Sequence, residues 1–172
     1  MTTQEFCTLH LAPPNYQAQI TAHPDLQEAW LHTPPHVTIW MATRPGVLPA
    51  SQLRAFAVWC ARRLEHYMED SRTLGALMGA TLEAVGHPLA VPLDSYKDAA
   101  REARHLIIKR YKYGTRTHQL RAAAAAMDCC EADPVTAAQR LWRTPAVGES
   151  ETEGRHLKAQ WLRENTTPDF GN

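Results

Sequence analysis

Basic residues crowd the stretch from 101 to 121, where Arg101, Arg104, Lys109, Arg110, Lys112, Arg116 and Arg121 face the single acid Glu102. Tyr111 and Tyr113 interleave with them. Two recognition chemistries use such a mixture. Guanidinium and ammonium groups neutralise the phosphates of a nucleic-acid strand while aromatic rings stack on its bases, and the same charges dock an acidic protein surface. A third reading is local, because cations in the last turn of a helix ending at Gly114 complement its negative pole. The later acids Asp128, Glu131, Asp133, Glu149, Glu151 and Glu153 can balance the basic helix within one chain or across a homodimer. The candidate contact set is therefore Arg101, Arg104, Lys109, Arg110, Tyr111, Lys112, Tyr113 and Arg116.

No other set of residues assembles a reaction. Cys60 falls on an apolar stripe and reads as a small buried hydrophobe, although Arg62 and Arg63 beside it are the kind of neighbour that depresses a thiol pKa. Cys129 and Cys130 are adjacent, and adjacent helical residues diverge by about 100°. Glu28, His32 and His36 would share a helix face only if Pro34 and Pro35 did not break that helix. Cys7 and His10 have ligand-like spacing without a second pair to complete four ligands. His66, between Glu65 and Glu69, reads as a boundary histidine. The Gly75-x-x-x-Gly79 spacing permits a close helix crossing. No P-loop, dinucleotide glycine pattern, G-x-S-x-G or H-E-x-x-H is present. These readings predict a non-enzyme with no cofactor and no metal.

Composition agrees with a compact cytoplasmic protein. Lys plus Arg and Asp plus Glu each number 18, so no global field draws the chain towards nucleic acid or anionic membrane. The four cysteines lack a disulfide-framework spacing, which fits reduced thiols. The first ten residues hold no basic and apolar leader, and no apolar run reaches the roughly 18 residues of a membrane span.

The elements that must carry these residues are helical. Leu53, Phe56, Ala57, Cys60, Leu64, Tyr67 and Met68 recur at i, i+3, i+4, i+7, i+11, i+14 and i+15, one helical face, with Arg54, Arg62 and Arg63 off it and solvated. Ser71 opens a second helix whose face is Leu74, Leu77, Met78, Thr81, Leu82 and Val85, stopped by Gly86 and Pro88. Ser95 and Asp98 have capping-box spacing for a helix running towards Tyr113. The next spans about Thr117 to Ala132, where Ala122 to Ala126 invite close approach of a neighbour. Asp133 and Pro134 supply a cap and a first residue for a helix to Arg143, and Ser150 with Glu153 caps a last one to about Asn165. Upstream, Asp25 to His32 and Pro35 to Ala42 are short helices parted by the proline pair, while Glu5 to Leu11 reads as a short strand or extended arm. The prediction is an all-α, single-domain bundle of about six to eight helices: an irregular arm over 1–23, the bundle over 24–165 and a flexible tail over 166–172.

The helix Leu53-Arg54-Ala55-Phe56-Ala57-Val58-Trp59-Cys60-Ala61-Arg62-Arg63 resembles a family of uncharacterised, alanine-rich bacterial proteins that share an L-R-x-F-A-x-x-C-x-R-R helix. Trp30-Leu31, Thr33-Pro34 and Met41 upstream, and Asp133-Pro134, Trp161-Leu162-Arg163-Glu164 and Phe170-Gly171-Asn172 downstream, extend the likeness from about residue 28 to the end. The same helix is similar to helical proteins proposed as immunity partners of bacterial toxins. The resemblance implies a non-enzymatic interaction protein with an unidentified protein partner, and carries over no catalytic residue. A nucleic-acid-binding accessory role through 101–121 is the competing expectation.

Overall fold

The computed structural model describes residues 1–110 and 116–171, and among them it contains α-helices, one 3-10 turn and no strand. The all-α expectation holds. By packing, the chain divides into two compact units, Met1–Pro49 with Glu151–Asn172, and Ala50–Ser150.

In the first unit the N-terminal segment is helical where an extended arm was expected. Helices α1 (Thr3–Leu9) and α2 (Pro14–Thr21) form there. The reason is a capping box: Thr2 Oγ1 accepts from the Glu5 amide at 3.2 Å, and Glu5 Oε2 accepts from the Thr2 amide at 2.8 Å. Phe6 and Cys7 are buried by it. α1 closes in a Schellman turn, with the amides of Leu11 and Ala12 donating to Thr8 O and Cys7 O, and Leu11 at φ 51° in the left-handed position. α3 (Leu26–His32) starts on Asp25, whose carboxylate accepts from the Glu28 amide, and α4 (Pro35–Ala42) starts with proline at its first position. Both match the sequence reading.

The last helix of the chain, here called α10 (Glu151–Asn165), packs on α4. Its Arg163 donates to Trp30 O at 3.0 Å, Thr33 O at 2.6 Å and Thr38 Oγ1 at 2.6 Å, satisfying carbonyls that the end of α3 leaves open. The segment 166–171, expected to be a free tail, is tied down in this unit. Phe170 is buried against Phe6 and Trp30 with ring centroids 5.9 and 6.3 Å away, and the Asp169 amide donates to Val47 O. A large aromatic finding an apolar niche outweighs the ordering entropy of a short tail.

The second unit holds α5 (Ala50–Arg62), the 3-10 turn Glu65–Tyr67, α6 (Ser71–Ala84), α7 (Leu93–Arg110), α8 (Thr117–Cys129) and α9 (Pro134–Leu141). α8 packs on α5, α6, α7 and α9, and its Ala122, Ala123, Ala125 and Ala126 are fully buried. Small side chains are what allow one helix so many close neighbours. The stripe that begins at Leu53 does run to Met68, but α5 ends at Arg62 and tightens into the 3-10 turn, which still buries Leu64 and Met68. Periodicity at three to four residues does not separate the two geometries.

Two further boundaries move. α6 is capped by Asp70, whose Oδ1 accepts from the Arg72 amide at 2.9 Å, and not by Ser71. α7 begins at Leu93 after Pro92, so Ser95 and Asp98 lie inside it and form no capping box there. Gly86, at φ 72°, ends α6 in a second Schellman turn with the Gly86 and His87 amides on Glu83 O and Leu82 O. Asp133 caps α9 through the Val135 and Thr136 amides, with Pro134 first in the helix, as its sequence predicts.

Candidate functional site

The described part of the basic stretch is spread over the second unit, and two of its arginines, Arg101 and Arg116, pair with carboxylates. Arg101 pairs with Asp98 one turn earlier on α7. Arg104 is half-buried and its charge acts on Asp128. Lys109 and Arg121 are exposed. Tyr111, Lys112 and Tyr113 lie outside the described residues.

Arg110 and Arg116 are brought together in a cleft of about 300 Å³. The 3-10 turn, the start of α6, the later half of α7 and the start of α8 enclose it, with Met68, Leu106, Ile107 and Ala123 on its apolar side. On the polar side Arg116 Nη1 donates to Glu69 Oε2 at 2.6 Å, and Gln119 Nε2 donates to the other oxygen of the same carboxylate at 3.2 Å. Asp70 sits next to them and is gripped by Arg72 through Nε at 2.9 Å and Nη2 at 2.7 Å. Those bonds to Arg72, with the charge of Arg110 adding to them, hold the Asp70 carboxyl below its ordinary range. Glu69, Asp70 and Arg72 escaped the sequence reading because they come from a segment some thirty to fifty positions away from the basic run, and Gln119, within the run, carries no charge to mark it. The only local signal was the Asp70-Ser71-Arg72 triplet before an apolar helix.

A second buried polar group was misplaced by periodicity. Arg54, expected in solvent, is 1% exposed. Its Nη1 donates to Cys129 O at 2.7 Å, its Nη2 to Ala132 O at 3.3 Å, and its Nε pairs with Glu83 at 2.5 Å. A guanidinium fork thereby closes the C-terminal end of α8, where carbonyls lack helical partners and the dipole favours a cation. Near it, Glu131 is buried between Lys97 (2.6 Å) and Arg140. Of the acids expected to balance the basic helix, Glu131 pairs instead with Lys97 and Arg140, Asp128 with Arg140 and Glu149 with Arg63.

All four cysteines are buried and none is in a disulfide; Cys129 Sγ lies 3.1 Å from Ala126 O and Cys130 Sγ 3.2 Å from Ala76 O. The neighbouring Cys130 thiol and burial together push the Cys129 thiol well above its usual pKa, so it stays protonated. Burial lowers His10 and His36 below the usual imidazole value. Among the described residues no three His, Cys, Asp or Glu side chains are grouped to hold a metal ion, and no helix is long and apolar enough to cross a membrane.

The face that α6 buries is also different from the one its leucines suggest. Thr73, Ala76, Leu77, Gly79 and Ala80 are buried, and the Tyr96 ring lies so close to Gly79 that a Cβ there would meet it at 2.9 Å. The larger residues Leu74, Met78 and Val85 point away from the unit and are 40%, 56% and 75% exposed. With exposed Ser71, half-buried Leu82 and Gly75, beside which a Cβ would meet nothing within 4 Å, they form a seam. Ser71, Gly75, Met78, Leu82 and Val85 recur at i, i+4, i+7, i+11 and i+14, the heptad spacing of a helix that packs on another helix.

No family model, curated protein or solved structure matches the chain.

Proposed function

We propose that the protein is a non-catalytic helical interaction module, and that the outer seam of α6 receives an amphipathic helix from a partner protein. The observation that carries this reading is the exposure of Leu74, Met78 and Val85 on one stripe of a helix whose opposite face is already packed. Single exposed apolar residues are ordinary on a protein surface, whereas an ordered seam marks a place where another molecule sits. Heptad spacing favours a helix as that molecule, and the open space at Gly75 supplies a hole for one of its knobs. α6 has 14 residues and so runs about 21 Å, the footprint of one partner helix.

The chemistry of the cleft supports recognition over transformation. Asp70, ionised by its contact with Arg72, is not a proton donor near neutrality, and burial with the adjacent Cys130 keeps the Cys129 thiol protonated. The resemblance of the α5 sequence to toxin-immunity helices extends the proposal: the partner is a bacterial toxin, neutralised in the cytoplasm. Nucleic-acid binding through 101–121 is the competing reading, favoured by the exposure of Lys109. It is opposed by Asp98, whose carboxylate already pairs with Arg101, and by a formal net charge of zero, which supplies no global field to draw in a phosphate strand.

Photo-crosslinking in the native host separates these readings, with benzoylphenylalanine placed at Met78 in one variant and at Lys109 in another. The interaction reading expects a single protein adduct at Met78, reduced by Leu74→Glu, and no nuclease-sensitive adduct at Lys109. Nuclease-sensitive adducts at Lys109 with none at Met78 would overturn it in favour of nucleic acid. An adduct at Met78 formed only with a second copy of the chain would replace the partner by a homodimer.

A further inference from the structure

We infer that the cleft in the second unit is a carboxylate-binding site that the chain's own Glu69 fills in the absence of ligand. The argument is independent of the α6 seam. Glu69 presents both carboxylate oxygens to separate donors, Oε2 to Arg116 and Oε1 to Gln119. That is the hydrogen-bonding pattern by which a protein reads a carboxylate. Glu69 nonetheless reaches the donors from the open side: its side chain is 62% exposed, against 31% for Arg116. An ion pair so exposed is weakly held, and the departing Glu69 carboxylate is taken up by water.

Asp70 behaves differently. It is fixed by two bonds from the Arg72 side chain and by the Arg72 amide, so it stays in place as part of the wall. Once Glu69 swings out, the Arg116 Nη1 and Gln119 Nε2 donors that held its carboxylate face an incoming oxygen, with Arg110 lining the same cleft. Met68, Leu106, Ile107 and Ala123 line the same cleft with apolar surface. A cavity of about 300 Å³ with such a lining fits a carboxylate carried on a short aliphatic or aromatic body. That body is either a small organic acid or the side chain of an acidic residue flanked by apolar ones.

The test is a titration followed by NMR at the Gln119 side-chain amide and the Arg116 Nε–H group. The probes are hexanoate, benzoate, hexanol and a blocked Leu-Glu-Leu tripeptide. Hexanoate or benzoate should shift both signals saturably, and hexanol should not. Glu69→Ala should tighten binding at least fivefold, because the internal competitor is gone. Arg116→Met should weaken it at least tenfold, and Gln119→Glu, which leaves Arg116 in place, should do the same. Tighter binding of the tripeptide than of hexanoate, with the same response to Glu69→Ala, assigns the carboxylate to a protein; the reverse order assigns it to a small acid. Absence of saturable shifts in both the native chain and Glu69→Ala would overturn the inference, as would hexanol binding as well as hexanoate.

Discussion

Arg54 donates from two guanidinium nitrogens to the carbonyls of Cys129 and Ala132 at and just past the end of α8 and lies against Glu83, and Arg163 does the same work at the end of α3. Replacing Arg54 by methionine keeps most of the buried stem but strands two carbonyls, so the change should lower unfolding stability by about 2–4 kcal/mol, read from urea denaturation. Leu11 presents the opposite case, since it sits in the left-handed position of a Schellman turn with its side chain 87% exposed. Leu11→Gly should therefore stabilise by about 1 kcal/mol, as the Gly86 turn shows the residue that such a position prefers. Asp70 gives a pH signature. Its folded pKa is depressed, so the stability it adds is complete above the ordinary carboxylate value near 4 and is lost as the pH falls through the lower value. The stability gap between the native chain and Asp70→Asn, which keeps a capping acceptor, should be constant above about pH 5 and close on further acidification. None of these roles is legible from residue type alone: Arg54 lies one position from an apolar stripe, and only the arrival of α8 from seventy-five positions away makes it a buried cap.

At the level of elements, boundaries written in local chemistry were readable. Asp133-Pro134, Pro34-Pro35 and Gly86 act where they stand, because caps and breakers need no distant partner. The Thr2-x-x-Glu5 box was equally local and decides that α1 is a helix, yet short apolar runs read equally well as strand. α6 shows where periodicity fails. It has an apolar stripe on two faces, and burial selected the one with small residues because Tyr96 packs directly onto Gly79. Gly79→Ala should then be destabilising, by about 1–3 kcal/mol, since the ring must shift. Gly75→Ala should stabilise the free protein by up to about 1 kcal/mol through helix propensity. Thermal unfolding of the two variants compares them directly. The cleft was half legible: Arg110 and Arg116 belong to it, but the Glu69 and Asp70 carboxylates that shape it come from another part of the unit.

Across the whole molecule, the residues on which a resemblance to alanine-rich bacterial proteins was expected build the fold, and no family model matches the chain. Leu53, Phe56, Ala57 and Cys60 are core, Arg54 and Arg163 are caps, and Trp30, Thr33, Leu162 and Phe170 are buried. Such positions serve packing, so the partner proposed for the protein has to meet it at a surface such as the α6 seam. On that seam Met78→Glu should change unfolding stability by less than about 0.5 kcal/mol, because the side chain already faces water. The most direct measurement is calorimetric titration of the partner captured at Met78 against the native protein, Met78→Glu and Lys109→Glu. A helix docked on α6 predicts at least a hundredfold loss of affinity for Met78→Glu, about 2.7 kcal/mol, with Lys109→Glu close to native. Unchanged affinity for Met78→Glu, or a greater loss for Lys109→Glu, would contradict the account.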